Sequence, residues 1–124
     1  MRGARAVAAA MQGTGIAAHI VFLPMLPSDD QAAAEQLAAS LAAPGLQCWW
    51  DAERTLGREL AQVLPIAPAE IAWDVFLAYP AGRTLAMPPA GWCHQMSAIA
   101  PEHSARGRLP EALRELAALA RDGR

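Results

Sequence analysis

Apolar positions along this chain follow two patterns, one typical of β-strands and one typical of amphipathic helices. Three short apolar runs lack a helical period and predict strands, at residues 19–25, 46–50 and 73–79. The first run is continuous and is bounded by Pro24 and Pro27, which suits a buried strand of a parallel sheet. In the third run Trp73, Val75, Leu77 and Tyr79 fall on one face and Phe76 and Ala78 on the other, so both faces of this strand are expected to be covered.

The segments between these runs have helical spacing. Ser28 is a suitable N-cap, and Gln31 stands three residues later at the capping-box position, so a helix is predicted to follow and to end at Pro44. A second helix is predicted over residues 54–64, where Gly57 indicates either a weakened helix or close packing. Asp51, at the end of the second strand, is placed to cap the turn that follows it.

The third strand leads into a closing hairpin. "YPAGRT" predicts a tight turn, because Pro80 presets its own φ and Gly82 tolerates a positive φ. The second arm is then expected at residues 83–87, as an edge strand that stops at two prolines. A last helix is predicted from Leu109, because Leu109, Leu113 and Leu116 share one face.

This order of elements predicts an α/β fold, namely a small mixed sheet with a parallel βαβαβ core, a C-terminal β-hairpin and a final helix. The organisation expected is an N-terminal tail or helix remnant over residues 1–18 and a domain over residues 19–124. Apolar residues make up 54% of the chain and charged residues 18%, which excludes a disordered class.

Charge and hydropathy narrow the expected partners. The net charge is −2, and the 10 basic residues, all arginine, are scattered, so no nucleic-acid partner is expected. No apolar run approaches the roughly 20 residues that cross a bilayer, so no membrane partner is expected either. The apolar start of the chain is interrupted by Gln12 and Gly13, which does not fit a secretory signal. A cytoplasmic location is therefore predicted.

Candidate chemistry centres on Cys93 and His94, the candidates for a nucleophile and its base. Adjacent residues on a strand point to opposite faces, and a catalytic base usually reaches the thiol from another element. Cys48 and His103 add no zinc-type spacing, so no metal and no cofactor are predicted. A buried thiol beside a surface histidine is the favoured interpretation.

Asp74 and the tryptophans are interpreted as structural in the first instance. Asp74 is the only charge in the third strand, so a hydrogen bond or ion pair with an arginine or with the Trp92 indole is expected. Trp73 is expected to supply core volume. For Trp50 and Trp92, core packing and the lining of a pocket both remain open.

Three stretches together resemble the redoxin type of thioredoxin-like fold, which includes peroxiredoxins and thiol-disulfide oxidoreductases. "WDVFLAYPAGR" resembles the last redoxin hairpin, "WWDAERTL" resembles the segment before it, and "HIVFLPMLPSDDQAAAEQLAASL" is similar to a redoxin strand followed by its helix. The resemblance covers about residues 16 to 84 together with the terminal helix.

Two departures from the redoxin pattern decide what the resemblance implies. Active redoxins carry a cysteine at a helix start, but no cysteine precedes Cys48, and Trp73 stands where the family has a cis-proline. The resemblance therefore implies a non-redox binding or accessory module rather than an enzyme. The alternative is a thiol-disulfide or peroxide redox enzyme whose catalytic N-terminal part is absent. A missing first strand would expose a sheet edge, through which a homodimer or another protein could pair.

A third interpretation is a degenerate Toll/interleukin receptor-like signalling domain. "IVFLPMLPSDD" and "LQCWWDAERTLG" resemble its first two strands and the loop after the second. In that register Gln95 stands where NAD-cleaving members of the family place a catalytic glutamate. The chain also lacks room for the last two strand–helix pairs.

Overall fold

The computed structural model describes residues 3–96 and 98–122, and over these residues the chain has the mixed α/β composition predicted from sequence. The described part contains four α-helices, four β-strands and one 3₁₀ turn. In chain order these are α1 (Gly3–Met11), β1 (Ala18–Phe22), α2 (Gln31–Ser40), β2 (Leu46–Trp50), α3 (Thr55–Val63), β3 (Val75–Ala78), β4 (Gly91–His94), the 3₁₀ turn (Pro101–His103) and α4 (Leu109–Asp122).

The first sheet is a parallel pair formed by β1 and β2, with α2 as the connection between them. Ala18 lies opposite Leu46, and Phe22 lies opposite Trp50. The inner face of this sheet packs against α1 and α2 in one apolar cluster, whose buried members are Ala4, Phe22, Ala34 and Leu41. The predicted strand–helix–strand unit is therefore confirmed.

Side-chain caps decide where α2 and α3 begin. Asp30 caps α2, because its Oδ1 accepts the Ala33 N–H at 2.8 Å, so the prediction of Ser28 as the cap is wrong. The neighbouring Asp29 accepts the Leu26 N–H at 2.9 Å and closes the turn that contains Ser28. Asp51 accepts the N–H groups of Thr55 and Leu56, each at 2.9 Å, which confirms that its side chain caps the turn that opens α3, although Arg54 holds the N-cap position.

Gly57 marks a close approach between α3 and the chain that follows it. The Ala72 N–H donates to the Gly57 carbonyl at 2.8 Å, and a Cβ at residue 57 would lie 2.9 Å from Ile71 Cγ2. The close packing suggested by this glycine is confirmed.

The second sheet is an antiparallel pair, but its second arm is not where the sequence pattern placed it. The tight turn forms as predicted, with the Arg83 N–H bonded to the Pro80 carbonyl at 3.3 Å and Gly82 at φ +87°. A second turn, from Thr84 to Met87, then takes up the residues predicted as a strand. Pairing starts only at Gly91, opposite Ala78, so the expected arm at residues 83–87 is wrong.

The expected single mixed sheet is also wrong, because among the described residues β1 and β2 pair only with each other and β3 pairs with β4. Helix α1 connects the cores of the two sheets. Ala4 and Ala8 pack in the cluster on the first sheet, whereas Val7 and Ala10 pack in the cluster between α4 and the β3–β4 hairpin. The two sheets therefore share a helix instead of a hydrogen-bonded ladder.

Candidate functional site at the β3–β4 hairpin

The β3–β4 hairpin is apolar on both faces, and this places its two candidate residues in different environments. Cross-strand pairing sets Cys93 opposite Phe76 and His94 opposite Val75. Because side chains alternate along a strand, Cys93 faces α4 and α1, whereas His94 lies on the side of the cluster that contains Val75 and Trp92. The predicted alternation of β3 is thereby confirmed.

Cys93 is buried against α4, with 6% of its surface exposed. Burial raises the pKa of the Cys93 thiol to about 11; the Arg108 guanidinium opposes this shift and the Glu115 carboxylate adds to it. The nucleophilic form of cysteine is the thiolate, so a raised pKa makes the thiol less reactive. The predicted buried thiol is confirmed.

A small depression of about 130 Å³ lies beside Cys93. Its wall includes Glu102, His103 and Ser104 on one side and residues of α4 on the other. Arg108 and Glu115 line it as well and form an ion pair at 2.9 Å, although both side chains are largely exposed. An exposed pair of this kind stabilises the fold by only about 1 kcal/mol or less.

His94 is buried, with 1% of its surface exposed, so the prediction of a surface histidine is wrong. Its Nδ1 accepts the Met96 N–H at 3.0 Å. That bond assigns the proton to Nε2, which donates to the Ala100 carbonyl at 3.0 Å. Both ring nitrogens are therefore occupied by backbone groups of the chain just after β4.

Trp92 has ring contacts with two histidines. The His103 ring stacks on Trp92 with centroids 4.1 Å apart and planes at 15°, and the His94 ring lies 5.8 Å from Trp92. The His103 Nδ1–H donates to the Trp92 carbonyl at 3.1 Å. Sequence reasoning missed this stack. Only the spacing of Trp92 and His94, two apart on one strand face, could have suggested half of it.

The structure does not bring Cys93 and His94 together in one site. The two side chains point to opposite faces, and neither His94 nor His103 has a hydrogen bond to the Cys93 thiol in the part of the chain that the structure describes. A catalytic role for the pair stays a prediction. Cys48 lies in β2, on the inner face of the other sheet, and is not brought near Cys93 by any strand pairing.

Asp74 does not lie in the strand where it was predicted. It occupies a bend before β3, at φ +50°, and its carbonyl accepts the Gln95 N–H at 2.9 Å. Over residues 3–96 and 98–122 its carboxylate has neither the expected arginine partner nor a bond from the Trp92 indole. Asp74 is only partly buried, so water can solvate its carboxylate in place of a charged partner.

The remaining tryptophans divide between core and surface. Trp73 and Trp92 pack against the cluster under α3, and Trp50 packs on the inner face of the first sheet. Trp49 is 54% exposed on the outer face of that sheet, where its Nε1–H donates to His19 Nδ1 at 3.1 Å. Trp92 also lines the depression beside Cys93, so packing and pocket lining, left open for this residue, both apply.

The described residues hold neither a metal-binding cluster nor a membrane-spanning helix. No group of three or more histidine, cysteine, aspartate or glutamate side chains in that part of the chain is arranged to hold a metal ion. None of the helices seen there combines the length and apolar composition needed to cross a bilayer.

Comparisons of the chain with protein-family models, with curated proteins and with solved structures found no match.

Proposed function

We propose that this chain is a non-redox, thioredoxin-like module that acts by binding another protein chain. The observation that carries the proposal is the environment of its two thiols. Cys93 lies in β4 and Cys48 in β2, so neither stands at a helix N-terminus. Burial raises the pKa of both thiols, whereas redox enzymes lower the pKa of their nucleophile.

The order of elements supports the fold part of the proposal. A parallel strand–helix–strand unit is followed by α3, an antiparallel strand pair and a C-terminal helix, which is the sequence of elements expected of a thioredoxin-like domain. The antiparallel pairing of β3 with β4 argues against the alternative of a Toll/interleukin receptor-like domain, because the sheet of that domain is all parallel. The other alternative, a redox enzyme lacking its N-terminal catalytic part, shares the same elements.

The first sheet supplies the proposed binding edge. Within the described residues, β1 and β2 have no third strand beside them, so each keeps one edge of backbone N–H and C=O groups without a strand partner. Such edges pair readily with a strand from another chain. A second copy of this chain offers the same edge, so a homodimer is the simplest assembly.

Redox assays test the enzymatic alternative. We expect no turnover above background in insulin reduction or in peroxide consumption with a thiol reductant. Variants Cys48→Ser and Cys93→Ser are the matched controls, because an activity that belongs to the chain must fall in one of them. Robust turnover that either substitution abolishes would overturn the non-redox proposal.

Analytical ultracentrifugation tests whether the chain forms a dimer through this sheet edge. We expect the fraction of dimer to rise with concentration, and Gln47→Lys to lower it, because a lysine on an edge strand opposes strand pairing. Gln47 is exposed in β2, and Gln36→Lys in the exposed part of α2 adds the same charge away from the edge. A monomer at every concentration, or equal loss of dimer in both variants, would contradict pairing through this edge.

A further inference from the structure

After β4 the chain turns back and contacts β4 again, and His94 binds this returning segment. We call residues 98–105 the return segment. The imidazole Nε2–H holds its Ala100 carbonyl at 3.0 Å, and the backbone carbonyl of His94 accepts the Ala105 N–H at 2.8 Å. A parallel bridge between His94 and Ser104 runs beside these bonds. One buried residue therefore binds the return segment at Ala100 and again at Ala105.

The third bond of His94 requires a neutral ring. Nδ1 accepts the Met96 N–H at 3.0 Å, and an imidazolium has no lone pair with which to accept it. In a protonated ring the Nδ1–H would point at the Met96 N–H, and the two donors would repel each other at a residue that is only 1% exposed. No described residue forms an ion pair with this histidine, so the new charge would be buried without compensation.

The described charged groups near His94 do not form an ion pair with its ring. Its face of the hairpin packs against α3 and the connector after it, against the start of β3 and against the 3₁₀ turn. The titratable residues on those elements are Arg58, Glu59, Glu70, Asp74, Glu102 and His103. Each of the four carboxylates stays without a bond to the His94 ring, whose nitrogens contact only backbone groups of the described chain.

We propose that His94 is an acid-operated latch, whose protonation releases the return segment from β4 and uncovers the Cys93 thiol. Glu102, His103 and Ser104 belong to the return segment and form one wall of the depression beside Cys93. When the return segment leaves β4, this side of the depression opens and exposes Cys93 to solvent. His103 does not oppose the change in the same way, because its Nδ1–H donates to the Trp92 carbonyl in both charge states of the ring.

Chemical modification of Cys93 measures the latch. The folded protein with Cys48→Ser carries one cysteine and is treated with a pyridyl disulfide, which reacts with thiols in acid as well. Histidine changes its charge between about pH 5 and pH 8, and across that range we expect the Cys93 rate, divided by the rate in denaturant at the same pH, to rise about tenfold as pH falls.

Two further variants separate the latch from general acid loosening. In His94→Asn the side-chain oxygen still accepts the Met96 N–H and takes up no proton, so the acid rise disappears. In His103→Gln the rise remains. An equal rise in His94→Asn, or no rise in the parent protein, would overturn the latch.

A measurement on the unaltered chain covers the case in which His94→Asn does not fold. Hydrogen exchange, corrected for the intrinsic rate at each pH, follows the Met96 and Ala105 amides together with those of β1 and β2. We expect the Met96 and Ala105 amides to lose protection as pH falls from about 8 to about 5, while the first sheet keeps its protection. Loss of protection in both regions at one pH would show global unfolding and rule out a local latch.

Discussion

At the scale of single residues, burial separates two sequence neighbours. Cys93 and His94 adjoin in β4, but each enters a different apolar cluster because the hairpin is covered on both faces. The sequence pattern predicted this alternation and the buried thiol. It did not predict the burial of His94, because that burial depends on the cluster formed by α3 and the connector after it, which is distant in sequence, and on the return of the Ala100 carbonyl to the ring.

The Cys93 thiol predicts a loss of stability in alkali. Burial raises its pKa to about 11 from the ordinary value of 9.0, so the unfolded chain loses this proton at lower pH than the folded chain does. The free energy of unfolding should therefore fall as pH rises from about 9 to about 11, by on the order of 2–3 kcal/mol from this group. Urea unfolding at stepped pH measures it.

Cys93→Ala is the variant that isolates this effect. Without the thiol the fall in unfolding free energy between those pH values should be shallower. The pKa of the Tyr79 hydroxyl is raised by burial too, so part of the fall should remain. Identical pH profiles for the parent and Cys93→Ala would refute the assignment to Cys93.

Tyr79 carries a buried hydroxyl without a hydrogen-bond partner among the described residues. A buried donor left without a partner costs free energy, and removing it while the ring stays in place relieves that cost. We expect Tyr79→Phe to leave the free energy of unfolding unchanged or to raise it by up to about 1 kcal/mol. Chemical denaturation checks this, and a clear loss of stability would mean that the hydroxyl has a partner in solution.

At the scale of elements, short-range rules worked where the interacting groups are close in sequence. Asp51 caps α3 from four and five residues away, and Gly82 allows the turn after β3. The start of α2 shows the limit of such rules. Ser28, Asp29 and Asp30 are all good caps by residue type, and the path of the turn from Leu26 decided between them.

Removal of the α3 cap is expected to lower the free energy of unfolding. Asp51→Ala leaves the N–H groups of Thr55 and Leu56 without their acceptor, which should cost about 1 kcal/mol in denaturant unfolding. Glu53→Ala is the matched control, because Glu53 is an exposed carboxylate in the same turn whose side chain accepts no bond there. Its effect should stay within about 0.5 kcal/mol. Equal effects of the two substitutions would contradict the capping role.

At the scale of the whole molecule, α1 is the element that joins the two sheets. The sequence pattern assigned residues 1–18 to a tail or helix remnant because their composition is rich in alanine and glycine and has no clear period. In the structure α1 packs against both clusters through small side chains, and a Cβ at Gly3 would lie 2.6 Å from the Phe76 ring. Close approach, more than apolar area per residue, explains how so weak a pattern forms a docked helix.

A charge on the inner side of α1 should therefore affect both sheets. Val7→Glu places a carboxylate in the cluster under α4, with an expected cost of about 2 kcal/mol in free energy of unfolding. Hydrogen exchange should show weaker protection in β1 and β2 as well as in β3 and β4. Arg5→Glu reverses an exposed charge on the same helix and should change neither sheet. Loss of protection confined to one sheet would argue against α1 as their link.

The amino-acid sequence by itself determined the local elements: where apolar runs form strands, where Asp51 and Gly82 start a helix or turn, and which faces of β3 are buried. Interactions over a few residues decide these features. Only the tertiary structure decided that pairing resumes at Gly91, that β1–β2 and β3–β4 form separate sheets, and that His94 is buried. Those outcomes depend on contacts between groups that are distant along the chain. Packing and the competition among backbone partners decide which of these contacts form.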